Sequence, residues 1–318
     1  MISNEWIARK GKRVSFYARG ALLDAAPYFL FETRLRRLKP QLEEILSGES
    51  GLSERVAYYN HMPPGDVPPE ARPISRISRR KSYYFYDLKI PAKHFGRSRR
   101  VNYKFGDVTS VPPSPALVKS RPIGDDNANS VLFKLDRLRH FDVNVLADTE
   151  RFRDKKPAAV WRGSLNNEKR KALVARYGNH PSCDIGHVSR DSGAAGTKPF
   201  LTIKEQMAYR YIVSIEGYDV ATNLKWIMSS QSLCFMPRPK YETWYMEGSL
   251  QPGVHYVGVR DDFEDLGDKI AYYNDNVSEA EQIVANANAH FRRFLDSESE
   301  ELCQLAVLYK YFRLTGQL

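Results

Sequence analysis

The chain has 318 residues, 42% hydrophobic and 27% charged, a composition that excludes disordered, collagen-like and disulfide-scaffold proteins. Its three scattered cysteines favour a reducing compartment, and no apolar run reaches the roughly 20 residues that a membrane-spanning helix needs. The net charge is +10, and residues 1–155, with 29 Lys and Arg against 18 Asp and Glu, carry a balance of +11. An anionic partner is therefore expected: nucleic acid, acidic membrane or phosphorylated substrate.

The first half of the chain mixes predicted helix and predicted strands. Its pattern predicts a helix over residues 22–46 and a short strand over residues 56–59. Aromatic and β-branched residues between glycines and prolines predict further strands over residues 83–88, 101–105 and 116–119. This half is therefore predicted to be α/β.

The second half has a more regular pattern, in which strands alternate with helices. These elements are predicted over residues 158–161, 166–177, 211–215, 220–230 and 232–236. Such alternation is typical of a parallel sheet with helices packed on its faces. The boundary between the halves is expected near residues 154–157, and the last helix over about residues 298–314.

The clearest local motif is a strand that leads into a helix through EGYD at residues 216–219. A turn of this kind leaves backbone N–H groups and the positive end of a helix at the carboxyl edge of the sheet, where α/β proteins bind phosphates. Thr222, Asn223 and Lys225 follow closely enough to add donors. Taken alone, the motif fits an ordinary βα unit more often, with Asp219 as the helix N-cap.

A second turn of this type, RGS at residues 162–164, follows the first strand of the same half. The Arg162 guanidinium beside it is suited to paired hydrogen bonds with a diphosphate, and the alternative is a surface ion pair. The chain contains no Asp-x-Asp, the type of carboxylate pair that holds a metal ion on a nucleotide diphosphate. Arg162, Lys225 and a helix N-terminus are therefore expected to balance phosphate charge without a metal.

Asp107 is the candidate catalytic base. It follows a predicted strand and a glycine, and a carboxylate at a strand end is placed to accept a proton from a hydroxyl group. The alternative is an aspartate that only caps its own turn. The sequence has no Gly-x-Ser-x-Gly, Walker loop or His-Glu-x-x-His, and no nucleic-acid-binding motif accompanies the basic residues.

Five segments carry a wider likeness: YKFGDVTSVP at 103–112, KSRPIGDDNANSVLFKLDRLRHF at 119–141, VWRGS at 160–164, YIVSIEGYDVATNLKWIMSSQSLCFMP at 211–237 and YETWYMEGSLQPGVHYV at 241–257. In these segments the chain resembles glycosyltransferase family 90. The likeness is closest to the bacterial lipopolysaccharide core glycosyltransferases, and extends to fungal capsule-associated xylosyltransferases and animal protein O-glucosyltransferases. It covers most of residues 100–260.

The resemblance implies a GT-B-like α/β fold, in which two Rossmann-like domains face each other across a cleft. A basic acceptor-binding domain is expected over residues 1–155, and the C-terminal helix, residues 296–318, is expected to return to it. A nucleotide-sugar-binding domain is expected over residues 156–295.

The resemblance also implies an inverting, metal-independent hexosyltransferase without a cofactor, whose donor is a UDP-sugar, either UDP-glucose or UDP-galactose. It places the catalytic base at Asp107. The implied nucleotide-sugar-binding residues are Arg162, Gly163, Ser164, Glu216, Gly217, Asp219, Val220, Ala221, Thr222, Asn223 and Lys225. Candidates for acceptor or phosphate contacts are Lys119, Arg121 and Glu242. Animal protein O-glucosyltransferases have an arginine at the position of Asn223, and Lys225 or Arg121 is expected to compensate.

The expected acceptor is a phosphorylated glycolipid or polysaccharide, specifically a hydroxyl of the lipopolysaccharide or lipooligosaccharide core. The enzyme is expected in the cytoplasm, peripheral at the inner face of an anionic cytoplasmic membrane, and no nucleic acid is expected as a partner. Two alternatives remain open. One is transfer to capsule polysaccharide or to a protein serine, although no secretory signal is evident for the latter. The other is a non-enzymatic protein that binds polyanions or nucleic acid.

Overall fold

The computed structural model describes residues 4–141, 148–189 and 196–318. Its α-helices are α1 (Asn4–Ala25), α2 (Tyr28–Ser47), α3 (Ser53–Tyr59), α4 (Ser82–Ala92), α5 (Arg137–His140), α6 (Glu168–Tyr177), α7 (Ile203–Met207), α8 (Leu224–Ile227), α9 (Leu266–Asp275), α10 (Val277–Arg292) and α11 (Ser297–Leu314). Its strands are β1 (Arg72–Pro73), β2 (Arg100–Val101), β3 (Tyr103–Lys104), β4 (Ala116–Val118), β5 (Ser120–Pro122), β6 (Ser130–Leu132), β7 (Lys156–Gly163), β8 (Cys183–His187), β9 (Tyr209–Val213), β10 (Leu233–Met236), β11 (Tyr241–Thr243) and β12 (Val257–Gly258). None of the helices in these ranges is long and apolar enough to cross a membrane.

The chain divides into two compact units. The first consists of Met1–Asp142 and Asp296–Leu318, and the second of Val143–Leu295. The division comes earlier in the chain than the boundary that the sequence predicts. The reason is that Phe152 belongs to the core of the second unit, where its ring packs edge-on against Tyr211 with 5.8 Å between ring centroids.

The second unit is built on a five-stranded sheet in the order β12-β10-β9-β7-β8. Every pairing in this sheet is parallel. Trp161, Tyr211 and Phe235 are buried in the core that the strands share with α6, α9 and α10. Strands covered on their faces bury nearly continuous apolar runs. The predicted parallel α/β architecture is confirmed for this unit.

The first unit has a smaller parallel sheet in the order β3-β4-β6. It also contains the helices α1 to α5 and α11. The last helix, α11, lies in this unit and packs against α2, α3 and α4. Glu300 on α11 is buried and forms ion pairs with Arg55 of α3 and with Lys134. The helix predicted over residues 298–314 is confirmed.

Some local predictions in the first unit are wrong, either in where an element ends or in whether it is a helix or a strand. The predicted helix over residues 22–46 is two helices, α1 and α2, because Pro27 stands between them with an extended backbone. Proline has no backbone N–H and disfavours helix at the preceding residue. The strand predicted over residues 56–59 is instead the end of α3, where Val56 and Tyr59 are buried.

The strand predicted over residues 83–88 is the helix α4. Its aromatic composition favours strands when considered locally. However, Tyr84, Phe85 and Leu88 are buried, and their spacing places them on one face of a helix. On the opposite side the Tyr86 ring lies against Gly20 of α1, where an added Cβ would come within 2.6 Å of the ring. Packing between helices therefore overrides the local strand preference.

Candidate active site

A pocket opens at the carboxyl edge of the parallel sheet in the second unit. Strands β9 and β10 end at this edge, and the chain that follows each of them forms much of the wall. The lining of the pocket includes Lys169, Glu216, Val220, Ala221, Tyr241 and Glu247. Open α/β sheets bind ligands at this edge. Three of the residues predicted to bind the donor therefore line one pocket.

Side chains from the start of α6 bind the loop after β7 to the loop after β9. Asn167 Nδ2 donates to the carbonyls of Glu216 at 2.9 Å and Gly217 at 3.1 Å. Arg170 Nη2 donates to the Ile215 carbonyl at 2.9 Å. The RGS and EGYD turns that the sequence singles out thus meet at one edge of the sheet.

Sequence reasoning missed Asn167, Lys169 and Arg170, although they follow the RGS turn closely. One signal was available, because an asparagine just before a helix predicts an N-cap. Asn167 Oδ1 does accept the Arg170 backbone N–H, at 3.0 Å. Lys169 lines the pocket and its Nζ pairs with Asp261 at 2.6 Å. These contacts reach other loops, and no local pattern predicts them.

The Arg162 guanidinium is bound within the protein. Its Nε donates to the Pro199 carbonyl at 2.9 Å, and its Nη2 pairs with Asp184 Oδ1 at 2.8 Å. Burial by itself would raise the pKa of the Asp184 carboxyl, but the hydrogen bonds from Arg162, Tyr209 and Lys198 and the Arg162 charge together outweigh it, and the pKa lies below its ordinary value. The sequence left two possibilities for Arg162, diphosphate binding or an ion pair, and this geometry corresponds to the ion pair. Packing explains why residue 163 is a glycine, since an added Cβ would lie 2.6 Å from the Trp161 ring.

The helix predicted after the EGYD turn is wrong in length, because α8 covers only Leu224–Ile227. Asn223 explains the late start. Its Nδ2 donates to the Val213 carbonyl at 3.1 Å and its Oδ1 accepts from Ser214 Oγ at 3.0 Å, which binds the loop to the end of β9. Asp219 is buried within this loop, four residues before the capping position of α8, so it is not the predicted N-cap.

Three more of the predicted donor-binding residues lie in the same two loops. The Ser164 side chain is exposed, and its carbonyl accepts from Arg170 Nη1 at 3.2 Å. Gly217 and Thr222 are half-buried. An added Cβ on Gly217 would stand 3.4 Å from Arg170 Nη2. The loops are therefore closely packed against α6 while Ser164 stays open to solvent.

Lys225 forms a buried ion pair behind the pocket wall. Its Nζ lies 2.9 Å from Glu247 Oε1, and both side chains are less than 5% exposed. The Thr243 backbone N–H donates to the other carboxylate oxygen at 2.6 Å, and the Thr243 hydroxyl donates to Glu247 as well. Because Glu247 lines the pocket, Lys225 holds a wall residue in place. Removing one partner of such a pair would leave a buried charge uncompensated.

Glu216 connects the two loops that follow β9 and β10. Its Oε1 accepts the backbone N–H groups of Lys240 at 2.9 Å and Tyr241 at 3.0 Å. Burial raises the pKa of the Glu216 carboxyl above its ordinary value, and these two hydrogen bonds offset only part of that rise. The side chain therefore shapes the pocket through the loop that it holds.

Asp107 lies in the first unit, directly after Gly106, whose φ of +122° suits glycine. Its Oδ1 pairs with the ammonium of Lys119, which is buried, while the carboxylate is about one-third exposed. Burial alone would raise the pKa of Asp107, but the hydrogen bond and charge of Lys119 bring it below the ordinary value. The carboxylate is therefore ionised at neutral pH and partly open, as a proton acceptor must be.

The three predicted acceptor or phosphate contacts, Lys119, Arg121 and Glu242, are all buried. Lys119 is the partner of Asp107. Arg121 Nη2 donates to the Tyr58 carbonyl at 2.8 Å, and its Nη1 donates to the Ser130 carbonyl at 3.1 Å. These geometries place Lys119 and Arg121 in support of the fold and of the candidate base. In the part of the chain that the structure describes, no group of three potential metal ligands occurs.

Comparison with known proteins bears on these sites. The model of the family described as glycosyl transferase family 90 matches residues 133–315, a range that holds the pocket but begins after Asp107. The chain is 41% identical to a protein named O-glucosyltransferase LpsA from Dichelobacter nodosus, over 96% of this chain and 97% of that one.

More distant similarity extends to animal proteins. The chain is 29% identical to protein O-glucosyltransferase 2 of Danio rerio over 33% of its own length and 21% of that protein. It is 26% identical to protein O-glucosyltransferase 3 of Homo sapiens over 50% of its own length and 32% of that protein. The near full-length relative and the family match together show that the chain belongs to glycosyltransferase family 90.

Proposed function

We propose that this glycosyltransferase moves glucose from UDP-glucose to a hydroxyl of the lipopolysaccharide or lipooligosaccharide core, with inversion and without a metal ion. The observation that carries the proposal is the pocket at the carboxyl edge of the parallel sheet, lined by Glu216, Val220 and Ala221 of the family-like segment at 211–237. The name of the Dichelobacter nodosus relative favours glucose as the sugar.

In this proposal the pocket of the second unit binds the UDP moiety. Asn167 keeps the loops after β7 and β9 together, and Lys225 keeps Glu247 in the wall. Lys169 supplies a positive charge at the pocket, which stabilises the departing diphosphate. Preorganised donors of this kind act most strongly on charge that develops in the transition state. Arg162 contributes by holding the RGS turn through Asp184.

Asp107 serves as the general base. It removes the proton from the acceptor hydroxyl while the oxygen attacks the anomeric carbon from the face opposite to UDP. The new glycosidic C–O bond forms as the bond to the diphosphate breaks, and the electron pair leaves with UDP. The proton ends on Asp107 and the anomeric configuration is inverted. The resemblance implies the GT-B architecture for this reaction.

The acceptor side of the proposal rests on charge. Residues 1–155 carry 29 basic against 18 acidic residues, and a phosphorylated glycolipid at the cytoplasmic face of an anionic membrane matches that excess. Raising the salt concentration is therefore expected to weaken acceptor use more than UDP binding. Equal sensitivity of the two would argue for a neutral acceptor.

Calorimetric titration of the whole chain with UDP, in EDTA and again with magnesium, tests the donor proposal. We expect binding of similar affinity in both buffers. Ala221→Leu, which fills the pocket, should weaken binding at least tenfold, while Ala285→Leu, at an exposed position of α10, should not. Absence of UDP binding in both buffers, with salt-sensitive binding of nucleic acid instead, would favour a polyanion-binding protein.

Transfer assays then identify the sugar and the acceptor. UDP-glucose and UDP-galactose are compared with a deacylated lipopolysaccharide core, a capsule polysaccharide and a serine-containing peptide. The proposal expects glucose transfer to the core and little to the other two. Preferred transfer to the peptide or the capsule polysaccharide would keep the enzyme class and replace the acceptor.

A further inference from the structure

Helix α1 carries an apolar strip on its solvent side. Val14 is 68% exposed and Leu22 is 73% exposed. Ala18, Ala21 and Ala25 are also exposed. Their spacing of three and four residues places all five side chains on one face of the helix. A continuous apolar strip on a surface helix is unusual for a helix that meets only water.

The opposite side of α1 packs against α4, so the strip is not the face that holds the helix on the first unit. Phe16 and Tyr17 each meet the Tyr86 ring of α4 edge-on, with 6.1 Å between ring centroids. Gly20 lies directly against the same ring. Helix α1 therefore has an inner face that holds it on α4 and an outer face that is apolar and uncovered.

Two more large apolar side chains are exposed in the first turn of α2, directly after α1, where Phe29 is 62% and Leu30 is 53% exposed. The corner between the helices is held from inside by Lys93, which is buried. Its Nζ donates to the carbonyls of Leu23 and Asp24, both at 2.8 Å. These bonds connect the corner between α1 and α2 to the residue that directly follows α4. We call Val14, Ala18, Ala21, Leu22, Ala25, Phe29 and Leu30 the outer face.

The helices that carry the outer face also carry an excess of exposed basic side chains. Of the side chains described on α1, only Asp24 is acidic, and it pairs with Arg79 at 2.8 Å. Among the described side chains of α1 and α2, the exposed basic residues are Lys10, Arg13, Arg19, Arg34, Arg36, Arg37 and Lys39. Of these, Arg34 pairs with Glu301 at 2.9 Å, and the acidic residues of α2 are Glu32, Glu43 and Glu44. Apolar side chains bordered by lysine and arginine are the pattern of helices that lie in a membrane interface.

We propose that the outer face docks the first unit on an anionic lipid bilayer. Its apolar side chains enter the boundary between headgroups and acyl chains, and the surrounding cations contact lipid phosphates. A second copy of the chain fits this face less well, because pairing would bring the same basic side chains together and like charges repel. The inference deepens the proposed function, since a glycolipid acceptor lies in such a membrane.

Vesicle flotation with the purified full chain tests this directly. Vesicles of phosphatidylglycerol and phosphatidylethanolamine are compared with vesicles of phosphatidylcholine alone. We expect binding to the anionic vesicles that weakens as salt rises, and at least tenfold weaker binding for the double variant Leu22→Glu/Phe29→Glu. The matched control is Phe200→Glu in the second unit, where the ring is 64% exposed, and it should bind as the unmodified chain does.

Two results would overturn the proposal. One is equal vesicle binding by the double variant and the unmodified chain. The other is a dimer, measured by light scattering, that the double variant abolishes, since the outer face would then be covered by a second copy. UDP titration of the same samples keeps the two proposals separate. The double variant should bind UDP normally, so lost vesicle binding with intact UDP binding concerns the outer face alone.

Discussion

The two units hold their candidate functional groups by different physical means. In the second unit, the pocket is made of loops bound to one another by neutral hydrogen bonds from Asn167 and by the buried pair of Lys225 and Glu247. In the first unit, one partly open carboxylate, Asp107, is set by the charge of Lys119. The pocket should therefore respond to substitutions through packing and stability, and Asp107 through ionisation.

The largest expected effect is on Asp107. Asp107→Asn should reduce transfer by about 10²–10⁴-fold, because a neutral amide cannot take the proton from the acceptor. UDP affinity measured by calorimetry should stay near that of the unmodified chain. The matched control is Asp126→Asn, at an exposed position. If transfer is lost in the control and kept in Asp107→Asn, then Asp126 is the base.

Next comes the buried pair behind the pocket. Lys225→Met should lower the free energy of unfolding by about 3–5 kcal/mol, because the Glu247 carboxylate is left buried without its cation. The measurement is denaturant unfolding of both proteins. Lys171→Met, which breaks a solvent-exposed pair with Glu168, should cost less than about 1 kcal/mol. Adding Glu247→Gln to Lys225→Met should recover part of the loss, and an unchanged loss would argue against the ion pair.

The loop connection in the second unit should give a smaller effect. Asn167→Ala removes the N-cap of α6 and the two bonds to the Glu216 and Gly217 carbonyls, and should cost about 1–2 kcal/mol of unfolding free energy. UDP affinity should fall too. Asn167→Asp keeps the capping oxygen but turns an acceptor-only carboxylate oxygen toward the two carbonyls, so it should not recover UDP affinity. Recovery of UDP affinity would show that the loops do not need the connection.

The smallest expected effect is a change in the pH dependence of transfer when the charge beside Asp107 is removed. Lys119 lowers the pKa of Asp107, so Lys119→Met should raise that pKa. Because the base must be deprotonated, activity falls as pH falls through this pKa, and the acid limb of the pH–rate profile should move to higher pH. Lys119→Arg keeps the charge and should leave the limb nearly in place. An unmoved limb in Lys119→Met would mean that Lys119 acts only in folding.

The difference between the units also governs what could be predicted from sequence. The strands of the second unit were predicted within a few residues of β7, β9 and β10, because each contains a short apolar run that is buried. The aromatic run of α4 was assigned wrongly as a strand. Its identity depends on Tyr86 meeting Gly20, a residue more than sixty positions earlier in the chain, and no local pattern contains that contact.

At the candidate site, the sequence correctly predicted that the segment after β9 lines a pocket. It did not predict which partners the charged side chains of Arg162 and Lys225 have. Glu216, Val220 and Ala221 line the pocket because they directly follow a strand, a relation that is local and therefore readable. The side chains of Arg162 and Lys225 found partners at Asp184 and Glu247, each 22 positions away in the chain. A cation near a glycine turn looks the same in sequence whether it will meet a phosphate or a buried carboxylate.

By itself, the sequence determined the α/β class, the parallel sheet of the second unit, the final helix and the family-like segments, since these depend on hydrophobic periodicity and on motifs of adjacent residues. Only the tertiary structure decided that Lys119 sits on Asp107, that α8 starts late and that α1 keeps an apolar face toward solvent. Those features depend on which distant groups come within hydrogen-bonding or packing distance, and that is set when the chain folds as a whole.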